Sequence, residues 1–196
     1  MDLAAFLKFP LSDKDWVKKI IIGCVITLVP VLNLLTLGYL LNCLQLGMQG
    51  RAELPEWQDW GELIKDGFFV LLIIIVYLLI PLILFPLLSF IPIIGTIIAS
   101  ILLLLAGLLL PAALASYSIK RDLTDALQVK VIYEQTTAVM QYYLPAYVAM
   151  VVVCSFCFLI TGFIPLVSFI GVLLLFYASV VFFNLIGQLF YGSRYN

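Results

Sequence analysis

"FPLLSFIPIIGTIIAS", residues 85–100, lies in the middle of a 53-residue run, Gly67 to Ile119, that contains no charged residue. How this stretch is read decides the fold. A membrane-spanning helix takes about 20 apolar residues, so the run holds two spans and requires a turn between them. Proline disfavours helix in the residue before it and suits the first turn of a helix after it. Glycine, asparagine and serine tolerate the irregular backbone of a tight connection. "IPIIG" at 91–95 therefore closes one helix and opens the next, with Pro92 at the turn. The same pattern recurs as "VPVLN" at 29–33, around Pro30, and as "IPLVS" at 164–168, around Pro165. Each recurrence falls inside another charge-free run, Ile20–Gly50 (31 residues) or Gln135–Ser193 (59 residues).

Composition points the same way. Hydrophobic residues make up 65% of the 196 and charged residues only 11%, against about 25% charged in a soluble domain. So much apolar surface cannot be hidden from water by a chain of this size. The expected fold is an all-α integral membrane protein of three helical hairpins, about six membrane arms, with interfacial amphipathic helices. The arms are read as Trp16–Val29 and Val31–Met48, Phe68–Ile91 and Ile93–Ile119, Gln141–Ile164 and Leu166–Tyr191. The first arm reaches only ~20 Å at ~1.5 Å per residue, less than a ~30 Å hydrocarbon core, so the first hairpin is expected to be short or re-entrant. Residues 1–196 form a single membrane domain, with one hairpin each in 1–50, 51–119 and 120–196.

Charge sets the orientation. If every hairpin returns to the side it entered from, all ten Lys and Arg lie on one face. If the first run is a single span, Lys8, Lys14, Lys18 and Lys19 part from Arg51, Lys65, Lys120, Arg121, Lys130 and Arg194. Only the first arrangement fits the positive-inside rule. The expectation is a multi-pass protein with both termini and both polar loops in the cytoplasm. Lys18 and Lys19 before an apolar run resemble a signal sequence, but no small-x-small cleavage pattern follows.

Between the first two runs stands "LPEWQDWGELIKDG", residues 54–67. Pro55 suits a helix N1 position, and Glu56 and Asp59 would complement the helix dipole. Trp57, Trp60 and Ile64 then share one face. This reads as a short amphipathic helix at the interface with its indoles at headgroup level. "FLKFPLSDKDWVKKI", residues 6–20, has the same character around Trp16, and 122–143 is a third candidate. Trp16, Trp57 and Trp60 are the expected interface anchors.

The chain has no histidine, and no Asp, Glu, Lys or Arg lies inside the charge-free runs. Ionisable groups at membrane depth mark proton relays and coupled transport, so their absence argues against both. It also removes the usual general bases and metal ligands. No catalytic residue, cofactor or metal is expected, and a net charge of −1 offers nothing to nucleic acid. Cys154 and Cys157 have CxxC spacing but sit within "VVVCSFCFLI", where they read as packing residues. The polar residues of interest are amides: Asn42 and Gln45, three apart, and Asn184 and Gln188, four apart. In lipid such groups seek hydrogen bonds across helices. They are read as interhelical or oligomer contacts.

"FPLSDKDWVKKIIIG", "VPVLNLLTLGYLL" and "ELPEWQDWGELIKDG", in that order, resemble the family called domain of unknown function 4013. The family's members are bacterial and archaeal membrane proteins of unknown function, so the resemblance implies a prokaryotic membrane protein, hence the inner (cytoplasmic) membrane, and carries over no active site.

The functional expectation is a non-catalytic membrane scaffold, self-associating or partner-binding, that organises one leaflet. Its partners would be the bilayer, further copies of itself and a protein at the cytoplasmic face. A passive channel or a carrier for lipids or small apolar solutes is the alternative. An interfacial enzyme working through Glu56, Asp59 and Glu62 ranks third.

Overall fold

The computed structural model describes residues 9–51, 53–91, 93–163 and 168–192, which contain helices and no strand. A 3-10 turn, Phe9–Ser12, leads into α1 (Trp16–Leu28). A second, Pro30–Leu32, leads into α2 (Asn33–Met48). Then come α3 (Trp60–Ser89), α4 (Ile94–Lys120), the four-residue α5 (Leu123–Ala126), α6 (Val129–Phe163) and α7 (Ser168–Gly192). Among the described residues five helices are long and apolar enough to cross a membrane: α2 with its preceding turn, α3, α4, α6 and α7. The 13-residue α1 is not among them.

Pro30 acts as its position predicts. Val29 before it is extended (φ −98°, ψ 110°) and Pro30 opens the next helical turn. Pro92 and Pro165 lie outside the described residues, between the end of α3 and the start of α4 and between α6 and α7. Pro81, Pro86, Pro111 and Pro145 lie within continuous helices.

Two of the three interfacial candidates, 54–67 and 122–143, are corrected. Residues 53–59 are irregular, and the helix that begins at Trp60 runs unbroken to Ser89. Asp59 sits in the left-handed region (φ 52°), where a helix cannot continue. Trp57 is therefore off the helix and shares no face with Trp60. Likewise α6 starts at Val129, well before Gln141, and absorbs most of the third candidate. Extending a formed helix is cheap, and Glu62, Lys65, Lys130 and Glu134 are carried on exposed positions of the first turns.

Helices α3 and α4 form an antiparallel pair. Near its turn, Gly95 packs on the carbonyl of Leu88. At its other end, the base, Phe69 meets Tyr117 at 6.1 Å and Asp66 pairs with Arg121. Helices α6 and α7 pair likewise, through Gly171 on Thr161 and Tyr143 on Phe190 (5.6 Å). The two pairs meet along α4. There Tyr143 and Tyr147 donate hydroxyl hydrogen bonds to the carbonyls of Leu108 (2.7 Å) and Leu104 (3.0 Å).

Helix α2 is clamped between them at the base. Gly38 lies on the backbone of Leu63, and Gly67 on that of Leu34. On the other side Gly47 lies on Asn184, and Gly187 on Leu44. The ion pair and the ring contact set Gly67 and Ser118 at one level of the α3–α4 pair. The two ends of α2 touch these two residues, Leu34 on Gly67 and Met48 on Ser118. It runs antiparallel to the start of α3, with Leu34 beside Gly67 and Gly38 beside Leu63, and along α7 from Phe176, near Tyr39, to Gly187, on Leu44. From Gly67 to Ser89, α3 rises about 33 Å at about 1.5 Å per residue, close to a hydrocarbon core of about 30 Å. The core follows the same division. Buried apolar residues concentrate in α2, in Ala112–Leu114 and Tyr117 of α4, and in Phe176–Phe190 of α7. The tips expose Ile80, Leu82, Phe90, Ile93, Val152 and Phe158.

Candidate functional site

The described charged residues gather at the base, and one of the two buried ones, Lys19, ties a junction together. Lys19 lies on α1 in phase with Gly23 and Thr27, the side turned toward α2 and α7. Its Nζ reaches Asp13 Oδ2 at 2.8 Å, Glu56 Oε1 at 2.6 Å and the Leu54 carbonyl at 3.0 Å. The Lys19 side chain is 6% exposed and that of Glu56 61%. The Leu54 amide donates to Asp13 Oδ2 (3.1 Å). One ammonium thus joins the segment before α1, α1 itself and the loop after α2. Burial would raise the Asp13 carboxyl, but hydrogen bonds from Lys19 and from the Asp15 and Leu54 amides outweigh it and hold it below the ordinary value. Burial opposes the Lys19 charge, and the hydrogen bonds to Asp13 and Glu56 overcome that and raise its pKa.

Trp57 closes the same junction. Its indole Nε1 donates to the Lys19 carbonyl (3.0 Å), and its ring stacks on Tyr39 with centroids 4.0 Å apart and planes 7° from parallel. Phe176 of α7 completes the cluster, 5.9 Å from Tyr39, with its ring over Gly23. Trp16 packs half-buried on the same cluster. Trp60 stands apart, 49% exposed. The three tryptophans therefore differ in kind: Trp57 is a packing residue, Trp60 an outward one, and Trp16 lies between. Trp57→Ala is expected to cost about 2–3 kcal/mol, below the ~3–5 of a fully buried ring. Trp60→Ala should cost under about 0.5 kcal/mol, as at ordinary surface positions. Unfolding titrations in detergent micelles measure both, and equal losses would refute the distinction.

Two of the four amides tie helices within one chain. Gln45 Nε2 donates to the Ser118 carbonyl (2.9 Å), fixing α2 to α4. Asn184 Nδ2 donates to the carbonyls of Cys43 (3.4 Å) and Arg51 (3.5 Å), fixing α7 to α2 and its loop. Gln188 Nε2 donates to Asn184 Oδ1 (2.8 Å). Asn42 is half-buried, with no side-chain hydrogen bond among the described residues. Cys154 is half-buried and Cys157 buried, both free thiols. Among the described residues no cluster of His, Cys, Asp or Glu is placed to hold a metal.

Sequence reasoning missed Lys19, Tyr39 and Phe176, and with them Gly38, Gly47, Gly67 and Gly187. The helical phase of Lys19 with Gly23 and Thr27 was the available signal for the first. Small residues let helix backbones approach closely, which was the signal for the glycines.

The arrangement is thus a solid, cross-tied base that carries the charge, with apolar helical tips. Comparison with curated proteins and with solved structures gives no match. The family described as "Protein of unknown function (DUF4013)" matches residues 21–167, three quarters of the chain, which therefore belongs to that family.

Proposed function

We propose that the protein is a non-catalytic membrane scaffold, self-associating or partner-binding, with its charged base at the cytoplasmic face of a prokaryotic inner membrane. In this reading the α3–α4 and α6–α7 pairs are two membrane hairpins, and α1–α2 is a shallow third that returns from the level of Gly67. Both termini then lie on the base side, and all ten Lys and Arg with them. One observation carries the reading: Gln45, Asn184 and Gln188 are spent on bonds between and along helices of the same chain. A carrier or channel would need such groups to line a polar path. Here they strengthen the packing of α2 against its neighbours.

The internal use of these amides moves the expected seam between copies. Of the four, Asn42 remains available to it. The exposed tip faces, rich in Ile, Leu and Phe, supply the rest. Symmetric closure is the common outcome when identical chains associate. Crosslinking in native membranes and native mass spectrometry from lipid nanodiscs test the proposal. A homo-oligomer, or a stable complex with a protein docked on the base, is the expected result. A bare monomer in both settings would contradict it.

A further inference from the structure

Of the three lysines at the start of α1, Lys19 alone is matched by carboxylates, taking up both Asp13 and Glu56. Lys14, in the turn before α1, and Lys18, in its first turn, are exposed and make no ion pair among the described residues. Both line an open groove of about 470 Å³ with Asp15, Val17, Ile21 and Ile22. Two lysines against the single carboxylate of Asp15 leave the lining with a net positive charge. The first-turn amides of Val17 and Lys18 have no hydrogen-bond partner among the described residues, and such N–H groups attract anions.

From the groove an apolar column runs along the outward side of α1. Val17, Ile21, Val25 and Leu28 follow one another at helical spacing, each about half exposed, and Val31 continues the column into the turn. No charged residue follows Lys19 until Arg51. The two ends call for different surroundings: free ammonium groups stay with water or anions, and the column gains by leaving water. That is the division between phosphate headgroups and acyl chains, and it sets the depth of α1 from its own residues. At about 1.5 Å per residue, Lys18 to Leu28 covers about 15 Å, the half of a ~30 Å hydrocarbon core that one acyl chain fills.

We infer that the groove at the start of α1 is a binding site for an anionic phospholipid. The phosphodiester pairs with Lys14 and Lys18 and takes the first-turn amides as donors, and an acyl chain lies on the column from Val17 to Leu28. A headgroup with no cation of its own, of the phosphatidylglycerol kind, matches the net charge of the lining. A zwitterionic headgroup brings an ammonium or trimethylammonium group that the two lysines repel. The site goes beyond the scaffold reading and belongs to a single chain as much as to an oligomer.

The test offers the full chain, in micelles, equal amounts of phosphatidylglycerol, phosphatidylethanolamine and phosphatidylcholine with identical acyl chains. Native mass spectrometry then counts the lipids each chain keeps. Phosphatidylglycerol should be retained about fivefold over either of the others, the ratio given by one net charge at about 1 kcal/mol. Lys14→Gln with Lys18→Gln should bring the ratio close to one. Lys65→Gln with Lys130→Gln, which removes two exposed lysines elsewhere, should leave it unchanged. Equal retention of the three lipids by the native chain would overturn the inference and leave the scaffold reading standing. An undiminished ratio in the first variant, or an equal loss in both, would overturn it as well. A preference shown by monomers and lost in oligomers would give the groove to a second copy, against the inference.

Discussion

Gly67→Leu is expected to detach α2 from α3. A side chain there meets the Leu34 carbonyl, and one at Gly38 meets the Leu63 carbonyl. In both cases the obstacle is backbone, so no side chain can swing aside, and α2 is held equally closely on its other face by Gly47 and Gly187. The expected loss is about 3 kcal/mol, the upper end of the ~1–3 typical of overpacking. Quenching between Trp57 and Tyr39 should be lost with it, because the Trp57 loop rests on α2. Gly61→Ala is the matched control: a Cβ there meets nothing, and alanine in a helix favours folding by up to about 1 kcal/mol. Unfolding titrations of the two variants in micelles decide the matter. A tolerated Gly67→Leu would mean that the α2–α3 contact is not structural.

Lys19→Met should open the junction between α1 and the loop after α2. It leaves Asp13 and the Leu54 carbonyl without their cation while keeping the apolar stem. Breaking a buried ion pair costs about 3–5 kcal/mol, and about 3 is expected here because Glu56 is exposed. Lys18→Met, one residue away and exposed, should change little. The same junction sets a pH window. The depressed Asp13 contributes stability that is present above its unfolded pKa of about 3.9 and is lost as pH falls through its lower folded value. The raised Lys19 contributes below about 10.4, and its contribution is lost as pH rises through its higher folded value. Protease exposure of residues 51–59 should therefore be flat from about pH 5 to 9 and rise below about pH 4. A rise centred near neutrality would contradict the assignment.

What was legible in the sequence follows from which forces act locally. The membrane helices and the Pro30 turn could be read because span length and proline geometry are properties of short stretches. The shortness of the first arm was also legible, since 13 residues cannot cross a bilayer. The fate of "LPEWQDWG" was not. Pro55, Glu56 and Asp59 are a sound helix start by local rules, but a tryptophan ring finds more contact on Tyr39 and Phe176 than on a headgroup layer. That competition exists only once α2 and α7 are in place. Lys18 and Lys19 are equivalent as sequence, and only packing turns one outward and the other into a nest of carboxylates. Of the four amides, Gln45 and Asn184 bond between helices, Gln188 bonds to Asn184 within its own helix, and Asn42 makes no side-chain hydrogen bond among the described residues. Which helix Gln45 and Asn184 would reach depended on the packing of α2 against α4 and α7, which no pattern of residues encodes by itself.

The central claim is that a single charged base faces one side, with the first hairpin turning back at the level of Gly67. Single cysteines at Glu53 and Asp125, in a background lacking the four native cysteines, test it most directly with an impermeant thiol reagent applied to intact cells and to inverted vesicles. Both positions are predicted to label only in inverted vesicles. Labelling of residue 53 from outside the cell would contradict the account, because α1–α2 would then cross the bilayer and the base would be divided between its two faces.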